Sequence, residues 1–370
     1  MRLLARYLLK EILVPLAGWL GFLFVLLFVM SFLRGTDVLL GSGVTAGDLV
    51  RFTLFLTPHF LQQAIPIAFL LAILLGVGRL AEDGELTALH SVGVSPSQLL
   101  VGPLLLGGLL GSLMLVMSFT AEPWGLRAVK AAANEIIKKN LVGDVKPGVF
   151  YEDLTNLTLY AETVDREDRH WTNVLLHDDR DQASPLLVLA RQGRINPSGS
   201  WGALTLALED GVVHRANRSS AEYTVVAFER GEVGVGVTDA FSRKNRFRSP
   251  KEELTPAELW EAADAAADRG EDDRPYRMTF HWRFGQALMP VAFAVMGTPL
   301  AMGRRQSGRA RGYLLTIVGY VLYYVLARLC VSLGEQGQMA MLLAGQLPNV
   351  VFAVLGMVGL RQVAQAGIGR

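Results

Sequence analysis

The chain has 370 residues, and its 35 lysines and arginines almost balance its 34 aspartates and glutamates, which gives a formal net charge of +1. Hydrophobic residues make up 51% of the chain, and the mean hydropathy is +0.33. The near-neutral charge argues against a nucleic-acid-binding protein, which would carry a marked cationic excess. The apolar content excludes a disordered chain.

Six long apolar segments account for this composition, and they contain a single charged residue, Arg328. A helix rises about 1.5 Å per residue, so about 20 apolar residues cross a hydrocarbon core about 30 Å thick, and every segment is long enough. The first segment is longer than the apolar region of a signal peptide, so we expect the protein to retain it. The sequence therefore predicts six transmembrane helices, at residues 12–33, 52–78, 98–121, 284–303, 312–334 and 339–360.

The short segments between these helices predict the orientation, because Lys and Arg accumulate on the cytoplasmic side. One side carries Arg2, Arg6, Lys10, Arg79, Arg304, Arg305, Arg309, Arg311, Arg361 and Arg370. The short loops of the other side carry only Arg34 and Arg51. Both termini are therefore predicted to be cytoplasmic, and the large insert between helices three and four is predicted to lie outside the cytoplasm.

This insert, residues 122–283, has the composition of a soluble domain and opens with a helical stretch at 123–140. Short alternating runs follow, at 148–151, 157–163, 173–176, 186–190, 204–208 and 223–228, with breaks at 178–179, 196–199 and 210–211. Such spacing is typical of an antiparallel sandwich, jelly roll or related barrel. Thr255, Pro256 and Glu258 then predict the start of a return helix that ends before Gly270.

The predicted organisation has three parts. Residues 1–121 form transmembrane helices one to three with a cytoplasmic loop at 79–97, residues 122–283 form an extracytoplasmic, jelly-roll-like β-domain with flanking helices, and residues 284–370 form transmembrane helices four to six. The fold class is thus an α-helical membrane protein with an all-β domain inserted between helices three and four.

Signatures of catalysis and metal binding are absent from the sequence. It has no G-x-x-x-x-G-K-[ST] loop, no H-E-x-x-H pair and no G-x-S-x-G elbow, so we expect neither a catalytic residue nor a metal site in this chain. His59 follows Pro58 without a neighbouring Asp, Glu or Cys, which favours a packed helix interface over a proton relay. Cys330 is the single cysteine, so a disulfide within the chain is impossible.

The cytoplasmic loop reads GRLAEDGELTALHSVGVSP, and its apolar residues Leu86, Leu89 and Val92 predict a short amphipathic helix. Acidic residues precede it, Gly93 can end it, and Ser95-Pro96 can cap the next span. Two interpretations remain open, namely a docking helix for a soluble partner and a simple capped connector.

Two arginines lie at predicted outer ends of spans. Arg34 ends the first span beside Phe22, Phe24, Phe28 and Phe32. It either snorkels to the interface or binds a lipid phosphate with its planar guanidinium group. Arg328 lies near the outer end of the fifth span, where it either snorkels or faces a polar cavity or partner.

Three segments of the chain have a distinctive sequence. They are the loop GRLAEDGELTALHSVGVS, the stretch LTPAELW, and HWRFGQALMPVAFAVMGTPLAMGRRQSGRARG. With these segments, and with its order of elements, the chain resembles the lipopolysaccharide-export permease family LptF/LptG, the YjgP/YjgQ type, over nearly its whole length. His90, Glu122-Pro123-Trp124 and the Arg-rich residues 304–311 favour the LptF-like branch.

This resemblance implies a permease subunit of an ATP-driven ABC transporter, not an enzyme in itself. Such a transporter extracts lipopolysaccharide from the inner membrane of a Gram-negative bacterium and passes it to a periplasmic jelly-roll bridge. The implied partners are a paralogous LptG-like permease, an LptB-like ATPase dimer that binds the ATP and Mg²⁺, a bitopic LptC-like protein and an LptA-like bridge protein. No cofactor is expected in this chain.

The resemblance also implies roles for particular residues. A coupling helix at 82–92 would face the ATPase with Glu82, Glu85, Leu86, Leu89 and His90. The lipid would pass along spans one and five, next to Arg34, Phe24, Phe28, Phe32 and Arg328. The alternative is a membrane scaffold or sensor whose β-domain binds a periplasmic ligand without transport.

Overall fold

The computed structural model describes residues 2–39, 46–143, 147–154, 157–165, 170–179, 185–197, 203–216, 223–236, 250–302 and 309–366. Within these ranges the side chains of residues 2–5, 31–39 and 133–143, among others, lie outside the description. The chain divides into two compact units. One comprises Met1–Ser31, Leu56–Leu126 and Lys251–Arg370, and the other comprises Phe32–Phe55 and Arg127–Pro250.

The described helices are α1 Arg2–Leu39, α2 Ala46–Glu82, α3 Glu85–Ser91, α4 Pro96–Val116, α5 Glu122–Gly143, α6 Pro256–Asp268, α7 Arg274–Met302, α8 Arg309–Glu335 and α9 Met341–Ala366. A π-helical turn, Met117–Ala121, joins α4 to α5, and α5 confirms the helical stretch predicted at 123–140. A 3-10 turn, Pro250–Glu253, precedes α6.

Six helices in the described ranges are long and apolar enough to cross a membrane, which confirms the six-span prediction. They are Arg6–Met30, Gly47–Glu82, Pro96–Ala132, Arg274–Met302, Gly312–Glu335 and Met341–Gln365.

Glycines bring α7 into backbone contact with its neighbours. A Cβ atom on Gly111 of α4 would collide with the carbonyl oxygen of Ala287 in α7, and one on Gly356 of α9 would collide with that of Val295. Small residues are the usual means of close helix packing in membranes, because lipid offers no hydrophobic drive for helices to associate. The fourth span is therefore held between the third and the sixth.

Hydrogen bonds add specificity to this packing. The buried hydroxyl of Tyr323 in α8 donates to Asn349 Oδ1 in α9 over 2.8 Å, and Asn349 Nδ2 donates to the carbonyl oxygen of Gly285 in α7 over 2.9 Å. The ring of Phe293 packs edge-on against Tyr323 with centroids 5.2 Å apart. One polar side chain of α9 thus ties three spans together.

The insert contains one antiparallel sheet with strands in sequential order. They are β1 Tyr151–Leu154, β2 Leu157–Asp165, β3 His170–Asp178, β4 Leu186–Pro197, β5 Ala203–Ala216 and β6 Tyr223–Gly236. The predicted all-β insert is confirmed. Its described strands form a simple meander instead of the Greek-key order of a jelly roll, because each strand pairs with the next along the chain.

An irregular row crosses this sheet from β2 to β6. At one level of the sheet, one residue in each of β2 to β6 is left out of the pairing while the register stays the same on both sides. These residues are Glu162, Asn173, Arg191, Asp210 and Glu229. Asn173 and Asp210 have positive φ angles of 48° and 52°. Buried residues change from one parity to the other across the row, as Trp171 and Val174 do in β3. The apolar side chains of each strand therefore stay on one face of the sheet. Without the irregular row, the residues beyond it would place their apolar side chains on the opposite face.

The row explains one wrong prediction. The break predicted at 210–211 does not end a strand, because β5 runs through both residues. Asp210 adopts a left-handed conformation inside the strand, and a Cβ on Gly211 would collide with the Phe228 ring. Asp and Gly favour turns, but here Asp210 and Gly211 allow the strand to continue through an irregular position.

The other strand boundaries were predicted too short. Strand β3 begins at His170, β4 extends to Pro197 and β6 extends to Gly236, while Val149 and Phe150 of the first predicted strand precede β1. Part of the break predicted at 196–199 lies outside the described residues. The return helix is confirmed, since the backbone N–H of Thr255 donates to Glu258 Oε2 over 2.7 Å and α6 ends before Gly270.

The close packing of α4 on α7 yields a first prediction. Leucine at Gly111 would push against the Ala287 carbonyl, and overpacking of this kind costs about 1–3 kcal/mol or more. We expect a lower melting temperature for Gly111→Leu in detergent. Gly108→Leu is the matched control, because an added Cβ there meets nothing within 4 Å. Equal melting temperatures for the two variants would contradict this description of the α4–α7 contact.

Candidate functional site

The first and fifth spans are the least covered helices of the chain. Only 11% of the apolar window of α1 and 22% of that of α8 is buried, against 78% for α2 and 61% for α7. The exposed apolar side chains of the two helices include Val14, Phe22, Val25, Val29, Leu314, Ile317, Val321 and Val325. These two spans therefore present the apolar surface that is available for a lipid or a second membrane protein.

Phe24 and Phe28, which were predicted to lie on the lipid path, both face the second span. Phe24 and Phe28 are half-buried, and both pack edge-on against Phe60 of α2, with centroids 6.1 and 6.5 Å away. Phe22 is 56% exposed and contacts Trp19 with centroids 5.5 Å apart. Phe32 and Arg34 belong to α1, but their side chains lie outside the described residues.

Arg328 is exposed on α8 and is held by a residue one turn before it. Its Nε donates to the Tyr324 hydroxyl over 3.0 Å, and its guanidinium carbon lies 5.1 Å from the centre of the Tyr324 ring. Stacking on an aromatic ring suits the planar guanidinium group. The structure thus places a positioned cation on the exposed surface of the fifth span.

The short helix α3 is anchored to the membrane helices by Leu86. This side chain is fully buried and belongs to the same buried cluster as Leu8 and Ile12 of α1 and Leu80 of α2. Leu86 therefore cannot face an ATPase, and that prediction is wrong for this residue. A helix of seven residues gains little stability from its own hydrogen bonds, so an apolar side chain must fix it to the bundle.

The other predicted coupling residues surround this anchor. Glu82 is exposed, whereas Leu89 and His90 are half-buried, and His90 Nδ1 lies 3.2 Å from the Val94 carbonyl oxygen. Glu85 accepts a hydrogen bond of 2.6 Å from the Tyr7 hydroxyl of α1. This bond makes α3 respond directly to the position of α1.

The outer surface of α3 ends in an apolar side chain. Val92 is 82% exposed, and the turn at Gly93 has a φ of +91°, as predicted for the end of this helix. The backbone N–H of Ser95 donates to Gln98 Oε1 over 3.1 Å at the start of α4. Gly93 and Ser95 thus define the connector, while Val92 and Glu82 leave a surface for docking.

His59 has an acidic partner, contrary to the sequence analysis. Its Nδ1 lies 2.9 Å from Glu122 Oε1, a residue 63 positions later. Gln62 Nε2 donates to Glu122 Oε2 over 3.2 Å, and Gln63 Nε2 lies 2.9 Å from His59 Nε2. The prediction failed because the partner follows in another span. The available signal was three polar residues within five positions of an otherwise apolar helix.

Arg283, in the segment HWRFGQ, is a second buried polar group that the sequence analysis did not single out. It is only 3% exposed, and its Nη2 donates to the carbonyl oxygens of Lys251, Glu252 and Leu254 over 3.4, 3.2 and 2.7 Å. Glu122 and Glu252 are the acidic groups that act on it electrostatically. No group of three or more His, Cys, Asp or Glu suited to a metal occurs among the described residues.

Residues 6–362 match the family model described as "Lipopolysaccharide export system permease LptF/LptG". The chain belongs to the LptF/LptG family. It is therefore a multi-pass membrane protein of the lipopolysaccharide-export permeases, a permease of an ABC transport system that is not itself catalytic.

Its relatives agree with the LptF-like assignment. The chain is 22% identical to the "Lipopolysaccharide export system permease protein LptF" of Escherichia coli strain K12. The aligned 363 residues cover 96% of this chain and 94% of the relative. The LptF protein of Shigella flexneri is similar to the same extent. The likeness thus includes both halves of the membrane region and the β-domain between them.

The anchoring role of Leu86 generates a second prediction. Leu86→Ala removes a fully buried side chain, which costs about 2–5 kcal/mol, so we expect an earlier thermal unfolding transition of the purified protein. Val92→Ala is the control, because truncation of an exposed side chain changes stability by about 0.5 kcal/mol or less. If Val92→Ala destabilised the protein as much as Leu86→Ala, the inward position of Leu86 would be refuted.

Proposed function

We propose that this permease is the LptF-like transmembrane subunit of a complex that extracts lipopolysaccharide from the inner membrane of a Gram-negative bacterium. The lipid passes to a periplasmic bridge that begins with the β-domain. The observation that carries the proposal is the exposure of α1 and α8 in a chain whose other spans, α2 above all, are more deeply buried.

The exposed surfaces suit the two ends of an amphipathic glycolipid. Acyl chains require an apolar wall, which the side chains of α1 and α8 offer. Phosphates require cations, and Arg328 is held in place on α8 by Tyr324. A charged residue on a membrane-exposed helix is costly unless a polar partner meets it. We therefore assign Arg328, together with Arg34, Phe24, Phe28 and Phe32 of α1, to the lipid path.

A paralogous LptG-like permease is the proposed second wall of the cavity. An LptB-like ATPase dimer binds ATP and Mg²⁺, and a bitopic LptC-like protein and an LptA-like bridge complete the complex. The excess of Lys and Arg in the short loops on the α3 side supports cytoplasmic termini and a periplasmic β-domain.

The helix α3 is the proposed docking site for the ATPase. Two exposed residues flank it, Glu82 at the end of α2 and Val92 directly after α3, and Glu85, Leu89 and His90 lie at the edge of the buried anchor. Since Tyr7 of α1 donates to Glu85, a movement of α3 is passed to the span that borders the lipid path. Through this hydrogen bond, docking of the ATPase displaces α1, which forms one wall of the proposed cavity.

The lipid path is tested by photo-crosslinking in cells. A photoreactive residue replaces Val29 in α1 or Val325 in α8, which are 44% and 50% exposed. We expect capture of lipopolysaccharide that depends on an active ATPase. The matched control is Leu105 in α4, which is 64% exposed but lies on a span outside the proposed path. Equal capture at all three positions, or none at Val29 and Val325, would favour the scaffold or sensor alternative.

The coupling of α3 to α1 is tested with Tyr7→Phe and Glu85→Ala in the reconstituted complex. Loss of a hydrogen bond to a charged group costs about 1.5–3 kcal/mol, so we expect about a tenfold loss of lipid released per ATP hydrolysed. Asp83→Asn is the control, because the Asp83 carboxylate is exposed and makes only a 3.4 Å contact with Arg79. Normal release per ATP in both variants would disprove the coupling role.

A further inference from the structure

The chain crosses between its two compact units at four points: after Ser31, before Leu56, after Leu126 and before Lys251. Three of these points adjoin a polar group of the helical unit. His59 follows the second crossing, Glu122 precedes the third, and Arg283 holds the residues that follow the fourth. We name His59, Gln62, Glu122 and Arg283 the polar junction.

The side chains of the polar junction are sheltered from solvent. Gln62 is 5% exposed and Arg283 is 3% exposed, while the side chains of His59 and Glu122 are 17% and 11% exposed. Buried polar groups are costly when they lose their partners. The two segments that lead into and out of the insert are therefore held firmly to α2 and α7.

Arg283 holds the returning segment through hydrogen bonds to three of its carbonyl oxygens. A guanidinium group stays charged, and its burial is tolerated because three carbonyl oxygens accept hydrogen bonds from it and the charges of Glu122 and Glu252 favour it. Movement of α7 away from Lys251–Leu254 would strip the charge of these partners. The returning segment must therefore follow α7.

Glu122 fixes the outgoing segment in a comparable way. It begins α5 immediately after the π-helical turn Met117–Ala121, and turns of this type often mark functional positions in helices. Within the described residues, Gln62 Oε1, Ser118 Oγ and Arg283 Nη1 are buried without a hydrogen bond. These three atoms can therefore form hydrogen bonds with new partners if the helices shift.

Helix α2 links the polar junction to the proposed ATPase docking site. It runs without interruption from His59 to Glu82, immediately before α3, a distance of about 35 Å at about 1.5 Å per residue. It is also the most deeply buried of the six spans. A displacement at α3 therefore reaches His59 through one continuous helix.

We propose that the polar junction transmits movement of the membrane helices to the two segments that carry the β-domain, so that lipid release follows the nucleotide cycle. This inference rests on the proposed function and deepens it. His59, Gln62, Glu122 and Arg283 are positioning residues in this proposal, because they act through the segments they hold and touch no lipid.

The first test measures lipid release from proteoliposomes that contain the complete complex. For His59→Ala, Glu122→Ala and Arg283→Gln we expect a loss of release of about tenfold, with ATP hydrolysis unchanged within about twofold. Since His59 and Glu122 form one pair, the double variant should lose no more than either single variant. Glu122→Gln, which keeps hydrogen-bonding capacity, should recover part of the release.

The matched control is Arg274→Gln. Arg274 lies on the same helix as Arg283, but its Nη1 donates to the carbonyl oxygen of Gln336 over 3.4 Å, and it holds none of the three carbonyls. We expect release close to wild type. All variants are first checked for assembly with the partner subunits. An assembled Arg283→Gln complex with normal release would overturn the proposal, as would equal losses for Arg274→Gln and Arg283→Gln.

A second measurement separates transmission from a merely structural role. Spin labels at Gln362, an exposed residue near the end of α9, and at Val225 in β6, which is 53% exposed, are introduced after Cys330→Ala. We expect their distance to change with bound nucleotide in the wild-type background and to stay constant in Glu122→Ala. A retained change would overturn the proposal. Absence of release from the wild-type complex would instead refute the proposed function, while the label distances would still decide the polar junction.

Discussion

The backbone contact of α7 with α4 and α9 is the constraint on which the rest of the helical unit depends. At Gly111 and Gly356 the neighbouring helices come so close that a single methyl group would collide with a carbonyl oxygen. In lipid, where hydrophobic burial does not drive association, such contact supplies dispersion energy and allows hydrogen bonds between helices. Asn349 uses this proximity to reach the Gly285 carbonyl, and the position of α7 then determines where Arg283 can hold the returning segment.

Because α7 is fixed at the centre of the helical unit, α1 and α8 lie at its periphery. The central and the peripheral helices therefore have different roles. The helices at the centre bury most of their apolar windows within the chain, 78% for α2 and 61% for α7, so we expect them to move as one packed group. The peripheral helices have apolar surface to share with another molecule. The anchoring of α3 by Leu86 and its hydrogen bond to Tyr7 connect one peripheral helix to the aqueous side.

The sequence was sufficient wherever a property depends on neighbouring residues. Hydropathy located the six spans, and the Thr255–Glu258 capping pattern located the start of α6. It was insufficient where partners are far apart, as with His59 and Glu122, which belong to different spans. Leu86 was assigned outward by the family resemblance, because the amphipathic pattern alone does not distinguish between two possible apolar partners, the bundle and another protein. Asp210 and Gly211 were assigned to a turn because their local preferences are equally compatible with an irregular strand.

The irregular row of the sheet has a consequence for recognition at its outer strand. It reaches β6 at Glu229, where the backbone departs from regular pairing. A strand that paired with β6 along its whole length would pass the same level opposite Glu229. With uninterrupted alternation of apolar and polar residues, it would present its polar face to the core on one of the two sides. The row therefore favours an additional strand whose alternation also shifts by one residue at the level of Glu229.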